Sequence, residues 1–353
     1  MEKLEISVVG AGITGLWQAL TLAYRGHGVS LIERTATPFT SAASQYAGAM
    51  LAPFCEREAA APIVHDLGLR SLEIWQSTFP GVVSKGTLVV AQPRDRSELI
   101  RFARRTEGHR HVEADEIAEL EPDLGRRFTD GLFYAREAHV EPAEAMAFLL
   151  KRIRRLGAKV SFGQAWTGGE AGYTVDCRGY AARDDLVSLR GVRGERIVVR
   201  TRELGLSRPI RLLHPRFPLY VVPWGMGTYM IGATAIESED LGPVTLRSAL
   251  DLLGAAYALH PAFGEARIVG LDAGVRPAFP DNVPKIVVRG RHIFVNGLYR
   301  HGFLLAPVLA ELVADYLESG ATPYGLFVEN EAMQSGRGAL SRSSRCAGSG
   351  WEA

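Results

Sequence analysis

The chain has 353 residues, 47% of them hydrophobic, which suits two domains with sizeable cores better than one. Its 40 basic and 39 acidic residues leave a net charge of +1, so nothing in the charge favours binding to nucleic acid or to a membrane surface. Three cysteines without metal-ligand spacing predict a reducing, cytoplasmic compartment, no disulfide framework and no metal site.

The N-terminal stretch Glu5–Glu33 has the order of elements that a dinucleotide-binding site requires. An apolar run, Ile6–Val9, predicts one buried strand, and it begins so close to Met1 that we expect no signal peptide. The glycine-rich run Gly10–Gly15 follows at once, the apolar periodicity of 16–24 predicts a helix, and Val29–Ile32 predicts a second strand.

Each glycine of this turn has a separate physical role. Gly10 permits a tight turn, Gly12 lets the backbone approach a pyrophosphate, and Gly15 lets the helix pack closely on the strand. The helix N-terminus then presents unpaired N–H groups and a positive dipole end to the phosphates. Glu33, at the end of the second strand, can accept hydrogen bonds from ribose hydroxyls and disfavours a 2′-phosphate. These residues therefore predict FAD or NAD rather than NADP.

The following part of the chain interrupts this pattern. Thr40–Pro53 is rich in small residues, which fits close approach to a flat ligand as well as an ordinary loop. A helix is predicted over Ala60–Thr78 and strands over Gly86–Gln92 and Gly131–Tyr134. Between these two strands, the charged segment Arg94–Glu121 is predicted to be helical in two pieces.

The strand–helix–strand theme then returns. Pro142 is predicted to open a helix that continues over Ala143–Leu156, and strands follow over Lys159–Phe162 and Thr174–Gly179. The interruption, from about Gly81 to Gly131, therefore fits a second domain inserted into the first.

The second half of the chain predicts antiparallel structure. It is rich in strands from Arg190 onwards, and Leu219–Pro223 and Tyr229–Thr234 flank a Gly-Met-Gly turn as a hairpin. A helix is predicted over Leu246–Leu259. Together with the first half, this predicts an α/β (α+β overall) fold with a separate antiparallel-sheet domain.

The C-terminal part begins with a predicted buried strand over Ile293–Gly297 and a helix over Phe303–Leu317. The apolar part of this helix is short and contains Glu311, so we expect it to be packed in the protein and not to span a membrane. The tail Ser335–Ala353 is rich in Ser, Gly and Arg, and we expect it to be disordered.

Several motifs, in a fixed order, give the chain a family resemblance. They are the Gly10–Gly15 turn with Glu33-Arg34, the loop Ser44–Pro53, His139–Pro142, Gly191–Glu195, Gly274–Pro277 with Asp281–Pro284, and Gly297–Pro307. From about Leu4 to Leu317 the chain resembles the D-amino-acid-oxidase-like flavoproteins. Within them it is most similar to the glycine oxidases of thiamine (thiazole) biosynthesis.

The resemblance implies FAD, with its isoalloxazine between a Rossmann-like FAD-binding domain and a mainly antiparallel substrate domain. The FAD-binding domain is expected to comprise 1–80, 132–190 and 265–334, and the substrate domain 81–131 and 191–264. The residues implied to contact FAD are Gly10, Gly12, Ile13, Thr14, Gly15, Glu33, Arg34, Ala43, Ser44, Gly48, Ala49, Met50, Trp166, Gly297, Leu298, Tyr299, Arg300, His301, Gly302, Phe303 and Leu304. Trp166 is expected beside the adenine, Ala43 and Ser44 near the pyrophosphate and ribityl, and 48–50 near the ring.

The helix that begins near Phe303 supports this placement on physical grounds. A reduced flavin carries negative charge around N1 and C2=O, and a helix N-terminus supplies N–H groups and a positive dipole end. We therefore expect 298–304 to close over the flavin and to favour hydride uptake.

Arg276 is the residue expected to bind the substrate carboxylate. A guanidinium can donate two parallel hydrogen bonds to a carboxylate and so fix the substrate Cα over the flavin N5; a structural ion pair is the alternative role. Arg300 and Tyr220 match family residues at the pocket, with loop stabilisation and strand packing as their alternatives. No protein base is required, so His301 is expected to serve packing or hydrogen bonding, and Cys55 to be structural.

These expectations describe an FAD-dependent amino-acid oxidase that acts on glycine or another small amino acid. The imine product would hydrolyse to glyoxylate and ammonia or pass to thiazole synthase, while dioxygen is reduced to hydrogen peroxide. The resemblance also implies a homo-oligomer. Three alternatives stay open: a sarcosine, proline or D-amino-acid dehydrogenase with a non-oxygen acceptor, an NAD(P)H-dependent flavin monooxygenase, and a dinucleotide-binding regulator without turnover.

Overall fold

The computed structural model describes residues 3–168, 172–216 and 218–329. The strands are β1 (Glu5–Val9), β2 (Gly28–Glu33), β3 (Met50–Leu51), β4 (Thr87–Ala91), β5 (Arg110–Glu113), β6 (Asp130–Tyr134), β7 (Ala138–His139), β8 (Lys159–Phe162), β9 (Tyr173–Asp176), β10 (Arg190–Arg200), β11 (Ile210–Leu213), β12 (Leu219–Pro223), β13 (Thr228–Gly232), β14 (Ile236–Glu237), β15 (Arg267–Ala278), β16 (Lys285–Arg289), β17 (His292–Asn296) and β18 (Phe327–Glu329). The helices are α1 (Ile13–Tyr24), α2 (Pro53–Glu56), α3 (Pro62–Thr78), α4 (Arg96–Arg105), α5 (Ala114–Leu120), α6 (Pro142–Arg155), α7 (Leu246–Leu259) and α8 (Gly302–Ser319).

The first sheet has the strand order β18-β16-β17-β9-β1-β2-β8, and its neighbours are parallel except for the β16–β17 hairpin. Its core strands β1 and β2 are apolar over most of their length, as strands buried on both faces should be. Helices α1, α6 and α8 pack together, and their buried residues, such as Leu16, Leu149 and Leu309, join one apolar cluster with the sheet. The glycine-rich turn lies at the carboxyl end of β1, where α/β sheets bind ligands.

The second sheet runs in the order β14-β10-β13-β12-β11-β4-β6-β5, with β15 paired to the other edge of β10. Neighbouring strands are antiparallel except for β4 and β11. One face is apolar and packs against α7, and Ile210, Val221, Ile231 and Leu252 meet in that core. The sheet therefore has one buried apolar face and one face free for other residues.

The opposite face carries arginines from three strands, β10, β11 and β15. Directly paired residues on neighbouring strands share a face, and Arg196, Gly232, Tyr220 and Arg211 form one such row across β10, β13, β12 and β11. Arg276 on β15 shares this face, since its guanidinium lies over the position of a Cβ on Gly194 of β10. We call this surface, defined by Arg196, Arg211, Tyr220 and Arg276, the arginine face.

The predicted α/β architecture is confirmed, and so is the hairpin formed by β12 and β13. The helix opened by Pro142 is confirmed as well, with the Glu141 side chain accepting a hydrogen bond from the Glu144 N–H. The tail Ser335–Ala353 lies outside the described residues. Within 3–168, 172–216 and 218–329, none of the helices combines the length and apolar content that a membrane span requires.

One sequence expectation needs correction. The segment Arg94–Glu121 contains α4 and α5 but also the strand β5, which pairs with β6. Only Val112 is buried in this charged edge strand, so its sequence carries no clear strand pattern. The strand β15 lies in the range expected for the FAD-binding domain, yet it pairs along its length with β10 of the second sheet. The division into domains itself remains a prediction.

Candidate active site

The glycine-rich turn has the close contacts that only glycines allow. Gly10 has a φ of +98°, and its N–H donates to the Ile32 carbonyl at 2.8 Å. A Cβ on Gly15 would lie 1.8 Å from the Gly10 carbonyl oxygen, and one on Gly10 would lie 2.7 Å from the Cys177 carbonyl oxygen. The glycine-rich turn therefore packs directly against the start of α1, and there is no room for a side chain at Gly10 or Gly15.

Two helix N-termini meet beside this turn. The Gly302 backbone at the start of α8 packs near Ile13 at the start of α1, where a Cβ on Gly302 would lie 3.5 Å from the Ile13 side chain. Neither helix has a side-chain cap at its N-cap residue. The Ser44 hydroxyl approaches α1 instead and accepts a hydrogen bond from the Ile13 N–H at 3.0 Å. The N–H groups and dipoles of the two helix N-termini favour an anionic ligand beside the glycine-rich turn.

Glu33 ends β2 next to the turn and is buried, with 7% of its surface exposed. Its carboxylate accepts hydrogen bonds from the Ala11 N–H at 2.9 Å and the Thr35 N–H at 3.0 Å. Arg34, the next residue, is exposed. The half-buried Trp166 contacts the ring of His292, with 5.2 Å between centroids, at the start of β17. Its expected place beside an adenine therefore remains a prediction.

The small-residue loop crosses from the first sheet to the arginine face. Ala43 to Tyr46 form a short 3₁₀ helix, and a Cβ on Gly274 of β15 would lie 2.9 Å from the Tyr46 ring. A Cβ on Gly48 would lie 2.8 Å from the Tyr220 ring. Ala49 has a φ of +51°, and Met50 then pairs with β7. This small-residue segment therefore lies between the glycine-rich turn and Tyr220.

Arg276 projects across its strand partner. Its guanidinium lies where a Cβ on Gly194 would be, 2.1 to 2.3 Å from three of its atoms, and its Nη1 donates to the Thr234 carbonyl at 3.0 Å. Burial lowers the pKa of Arg276, and the neighbouring Arg300 lowers it further, but the group stays charged at neutral pH. The guanidinium is half-buried, and it forms no ion pair with a described carboxylate.

Arg300 lies in the turn before α8 and is a charged neighbour of Arg276. In that turn Tyr299 has a φ of +50°, and its N–H donates to the Pro277 carbonyl at 2.9 Å, which ties it to the end of β15. A Cβ on Gly297 would lie 2.1 Å from the Phe279 ring. Leu298, Phe303 and Leu304 are buried in the core, whereas Arg300 is exposed and has no ion pair among the described carboxylates.

A half-buried acid lies next to these cations. Glu56, at the end of α2, forms an ion pair with Arg211 at 2.5 Å, and its other oxygen lies 3.4 Å from Nδ1 of His301. Burial alone would raise the pKa of Glu56, but Arg211, His301 and Arg300 lower it to about 2. Burial lowers the pKa of His301 to about 4 against the opposing effect of Glu56, so His301 is neutral at physiological pH.

Sequence reasoning missed Glu56, Arg211 and the support that Gly194 gives to Arg276. A signal for Arg211 existed, because it is a single charged residue in the apolar strand Ile210–Leu213, and buried charges need partners. Glu56 carried no comparable signal, since it stands among other charged residues in the run Cys55–Glu58.

The remaining candidate groups fit structural roles. Burial raises the pKa of the Cys55 thiol, which is thereby kept protonated and is a poor nucleophile. Its N–H donates to the Glu137 carboxylate at 2.7 Å. Among the described residues, no group of three or more His, Cys, Asp or Glu side chains has an arrangement that could hold a metal ion.

The arrangement fits an extended FAD. The glycine-rich turn and α1 offer N–H groups to a pyrophosphate, and the loop 43–50 passes over the arginine face with small residues and a glycine in contact with Tyr220. The Gln45 side-chain oxygen is buried without a hydrogen-bond partner in this loop, and the N-terminus of α8 is uncapped. Both features match a flat polar ring system at this position.

Comparisons with known proteins agree with this geometry. The chain matches the family described as FAD dependent oxidoreductase over residues 5–316. It is 50% identical over 316 residues to a Rhizobium etli protein that carries the name thiamine biosynthesis oxidoreductase ThiO, covering 88% of this chain and 95% of that one. It is 27% identical to the bifunctional protein ThiO/ThiG of Trichormus variabilis, covering 89% of this chain and 52% of the relative. In structure it is similar to glycine oxidase from Bacillus cereus, with a TM-score of 0.79, 22% identity, and coverage of 92% and 99%.

Proposed function

We propose, from the premise that the chain belongs to the FAD dependent oxidoreductase family and is an FAD-dependent amino-acid oxidase, that its substrate is glycine or a similarly small amino acid. The reaction consumes the amino acid, water and dioxygen and yields the oxo acid, ammonia and hydrogen peroxide. For glycine the oxo acid is glyoxylate, formed by hydrolysis of the imine.

One observation carries this proposal more than any other. The Arg276 guanidinium, without an ion-pair partner among the described carboxylates, lies on Gly194 beside Tyr220 and the turn before α8. A half-buried, unpaired guanidinium next to the proposed flavin site is suited to bind a carboxylate through two parallel hydrogen bonds. The alternative role of Arg276 as a structural ion pair has no acid to support it within the described residues.

The protein's contribution to the reaction is mainly orientation and electrostatics. Bound FAD supplies the two-electron acceptor. Arg276 holds the carboxylate, with Tyr220 and Arg300 beside it, so the substrate Cα is fixed in one position relative to the ring. The uncapped N-terminus of α8 would supply backbone N–H groups and a positive dipole end to a bound flavin that takes up negative charge. His301, buried and neutral, packs at the start of this helix and has no required role as a base.

The relatives support a place in thiamine biosynthesis. The Rhizobium etli relative carries the name of this pathway. The Trichormus variabilis relative is named as a bifunctional protein, ThiO/ThiG, of which this chain covers 52%. We therefore propose that the imine is passed to thiazole synthase, as a separate protein, or is hydrolysed. A cytoplasmic homo-oligomer is the assembly we propose for the enzyme.

Replacement of Arg276 tests the proposal. Arg276→Met should leave FAD bound and lower kcat/KM for glycine about a thousandfold, since a charge-assisted bidentate contact is lost. Arg276→Lys should keep part of the activity, and Arg267→Met, at the exposed start of the same strand, should match the wild type. Peroxide yield with dioxygen as sole acceptor separates the oxidase from a dehydrogenase. Loss of FAD from Arg276→Met would instead assign Arg276 a structural role.

A further inference from the structure

The arginines near the candidate site fall into two classes by their partners. Arg196 and Arg211 stand on either side of Tyr220 in one row of the arginine face. Arg196 pairs with Asp272 at 3.1 Å, and Arg211 pairs with Glu56 at 2.5 Å. Arg276 and Arg300 have no such partner among the described carboxylates. Arg196 and Arg211 are thus each paired with a carboxylate, whereas Arg276 and Arg300 are left without one among the described residues.

Glu56 and Asp272 reach their arginines from different kinds of position in the chain. Asp272 lies opposite Arg196 in the same sheet, so its pairing follows from the strand register. Glu56 comes from α2, directly after the loop that crosses the arginine face, and it reaches Arg211 on β11 and His301 before α8. One carboxylate therefore connects α2 with two other segments, β11 and the turn before α8.

Without Glu56, Arg211 would be a third free cation facing the same space. Arg211 shares a face with Tyr220, its directly paired neighbour on β12, and its charge acts on Arg300 and His301. A single carboxylate with access to three guanidinium groups has several binding positions of similar energy. Only one of these positions presents the substrate Cα correctly to the ring.

We propose that Glu56 is a positioning residue of the substrate site, which neutralises Arg211 so that the substrate carboxylate is bound by Arg276 and Arg300 alone. The inference rests on the proposed function in one respect, the carboxylate group of the substrate. It assigns Glu56 no contact with the substrate and no part in bond breaking.

Titration of the holoenzyme with acetate, followed by the change in flavin absorbance, tests the proposal without turnover. Glu56→Gln should bind acetate about tenfold more tightly than the wild type, because a nearby negative charge is lost while the shape is kept. With glycine, kcat should fall about tenfold and KM should change less, since binding persists in unproductive positions. Glu58→Gln, two residues away and paired with the surface residues Arg101 and Arg105, is the matched control and should leave both readouts unchanged.

The double variant Glu56→Gln/Arg211→Met identifies the cation responsible. It should return the acetate affinity and the glycine kcat towards wild-type values, because the third free guanidinium is gone. A purely structural role for Glu56 predicts no tighter acetate binding and no recovery. Wild-type acetate affinity in Glu56→Gln, or tight binding that persists in the double variant, would overturn the proposal.

A single variant covers the case in which Glu56→Gln loses its flavin. Arg211→Met leaves Glu56 to pair with Arg300, so acetate should bind several-fold more weakly than to the wild type; tighter binding would contradict the proposal. If the wild type binds acetate but leaves glycine unoxidised, the proposed function fails, while the acetate series still decides the role of Glu56.

Discussion

The glycine-rich turn and the arginine face border the proposed FAD and substrate site but are built in different ways. At the turn, the closest approach is between backbone atoms of residues close in sequence, where Gly15 meets the Gly10 carbonyl oxygen. On the arginine face, the contacts are between charged side chains from distant segments, as when Glu56 of α2 pairs with Arg211 of β11. The first region is shaped by the absence of side chains and the second by the pairing of charges.

This difference predicts which property each region should lose when a residue is substituted. At the turn, any added atom collides with the backbone, so the loss concerns the fold and the cofactor together. On the arginine face, a changed side chain leaves the backbone ladder in place, so the loss concerns the substrate alone. Substitutions that separate FAD retention from substrate turnover therefore test whether the two regions are distinct.

The largest effect is expected at the turn. Gly15→Ala places a Cβ 1.8 Å from the Gly10 carbonyl oxygen, so the backbone must shift and FAD should be lost from the purified protein. The measurement is the ratio of flavin to protein absorbance. Gly254→Ala in α7, where a Cβ meets nothing within 4 Å, should keep FAD and stabilise the protein by about 0.5–1 kcal/mol. Full FAD content in Gly15→Ala would contradict the assignment of this turn.

A smaller effect, confined to the substrate, is expected at Gly194. A Cβ there would lie 2.1 to 2.3 Å from the Arg276 guanidinium and push it from its place, so kcat/KM for glycine should fall about a hundredfold with FAD retained. Gly270→Ala in the paired strand β15 adds a Cβ no closer than 3.3 Å to its neighbours and serves as the control. An unchanged kcat/KM for glycine in Gly194→Ala would mean that activity does not depend on the position of the Arg276 guanidinium over Gly194.

The smallest effect concerns a histidine that connects the loop side of the site to the second sheet. His139 of β7 contacts the Pro223 carbonyl through Nε2 at 3.0 Å, and burial lowers its pKa from 6.5 to about 4. Below pH 6.5 the unfolded chain takes up the proton before the folded protein does. The stabilisation is thus complete above pH 6.5 and is lost as the pH falls towards 4, by about 3 kcal/mol at most.

Urea denaturation at pH 7 and pH 4.5 measures this loss. His139→Gln should reduce the difference between the two pH values, whereas His111→Gln, an exposed histidine on β5, should not. An unchanged pH dependence in His139→Gln would show that its protonation is not coupled to folding.

The turn could be predicted from the sequence because its contacts are local. Gly10, Gly12, Gly15 and Glu33 lie within one strand–helix–strand unit, so spacing alone fixes their relative positions. The start of α8 could be predicted for the same reason. The family resemblance added Arg276, Arg300 and Tyr220, which lie together in the structure.

The charge pairing could not be predicted in this way. The position of Arg211 beside Tyr220 depends on the pairing of β11 with β12, and Glu56 reaches Arg211 only in the folded protein. The strand β5 escaped prediction because three of its four residues are exposed. Contacts between distant segments depend on which strands pair in the sheet, and the hydrophobic periodicity of a single segment does not predict that pairing.

Anaerobic addition of glycine to the purified yellow holoprotein tests most directly whether the flavin oxidises a small amino acid that Arg276 binds. The flavin absorbance near its visible maximum should be bleached in the wild type and should persist in Arg276→Met, and admission of dioxygen should restore the colour and release hydrogen peroxide. A flavin-loaded wild-type protein whose absorbance does not respond to glycine, sarcosine or D-alanine would contradict this prediction.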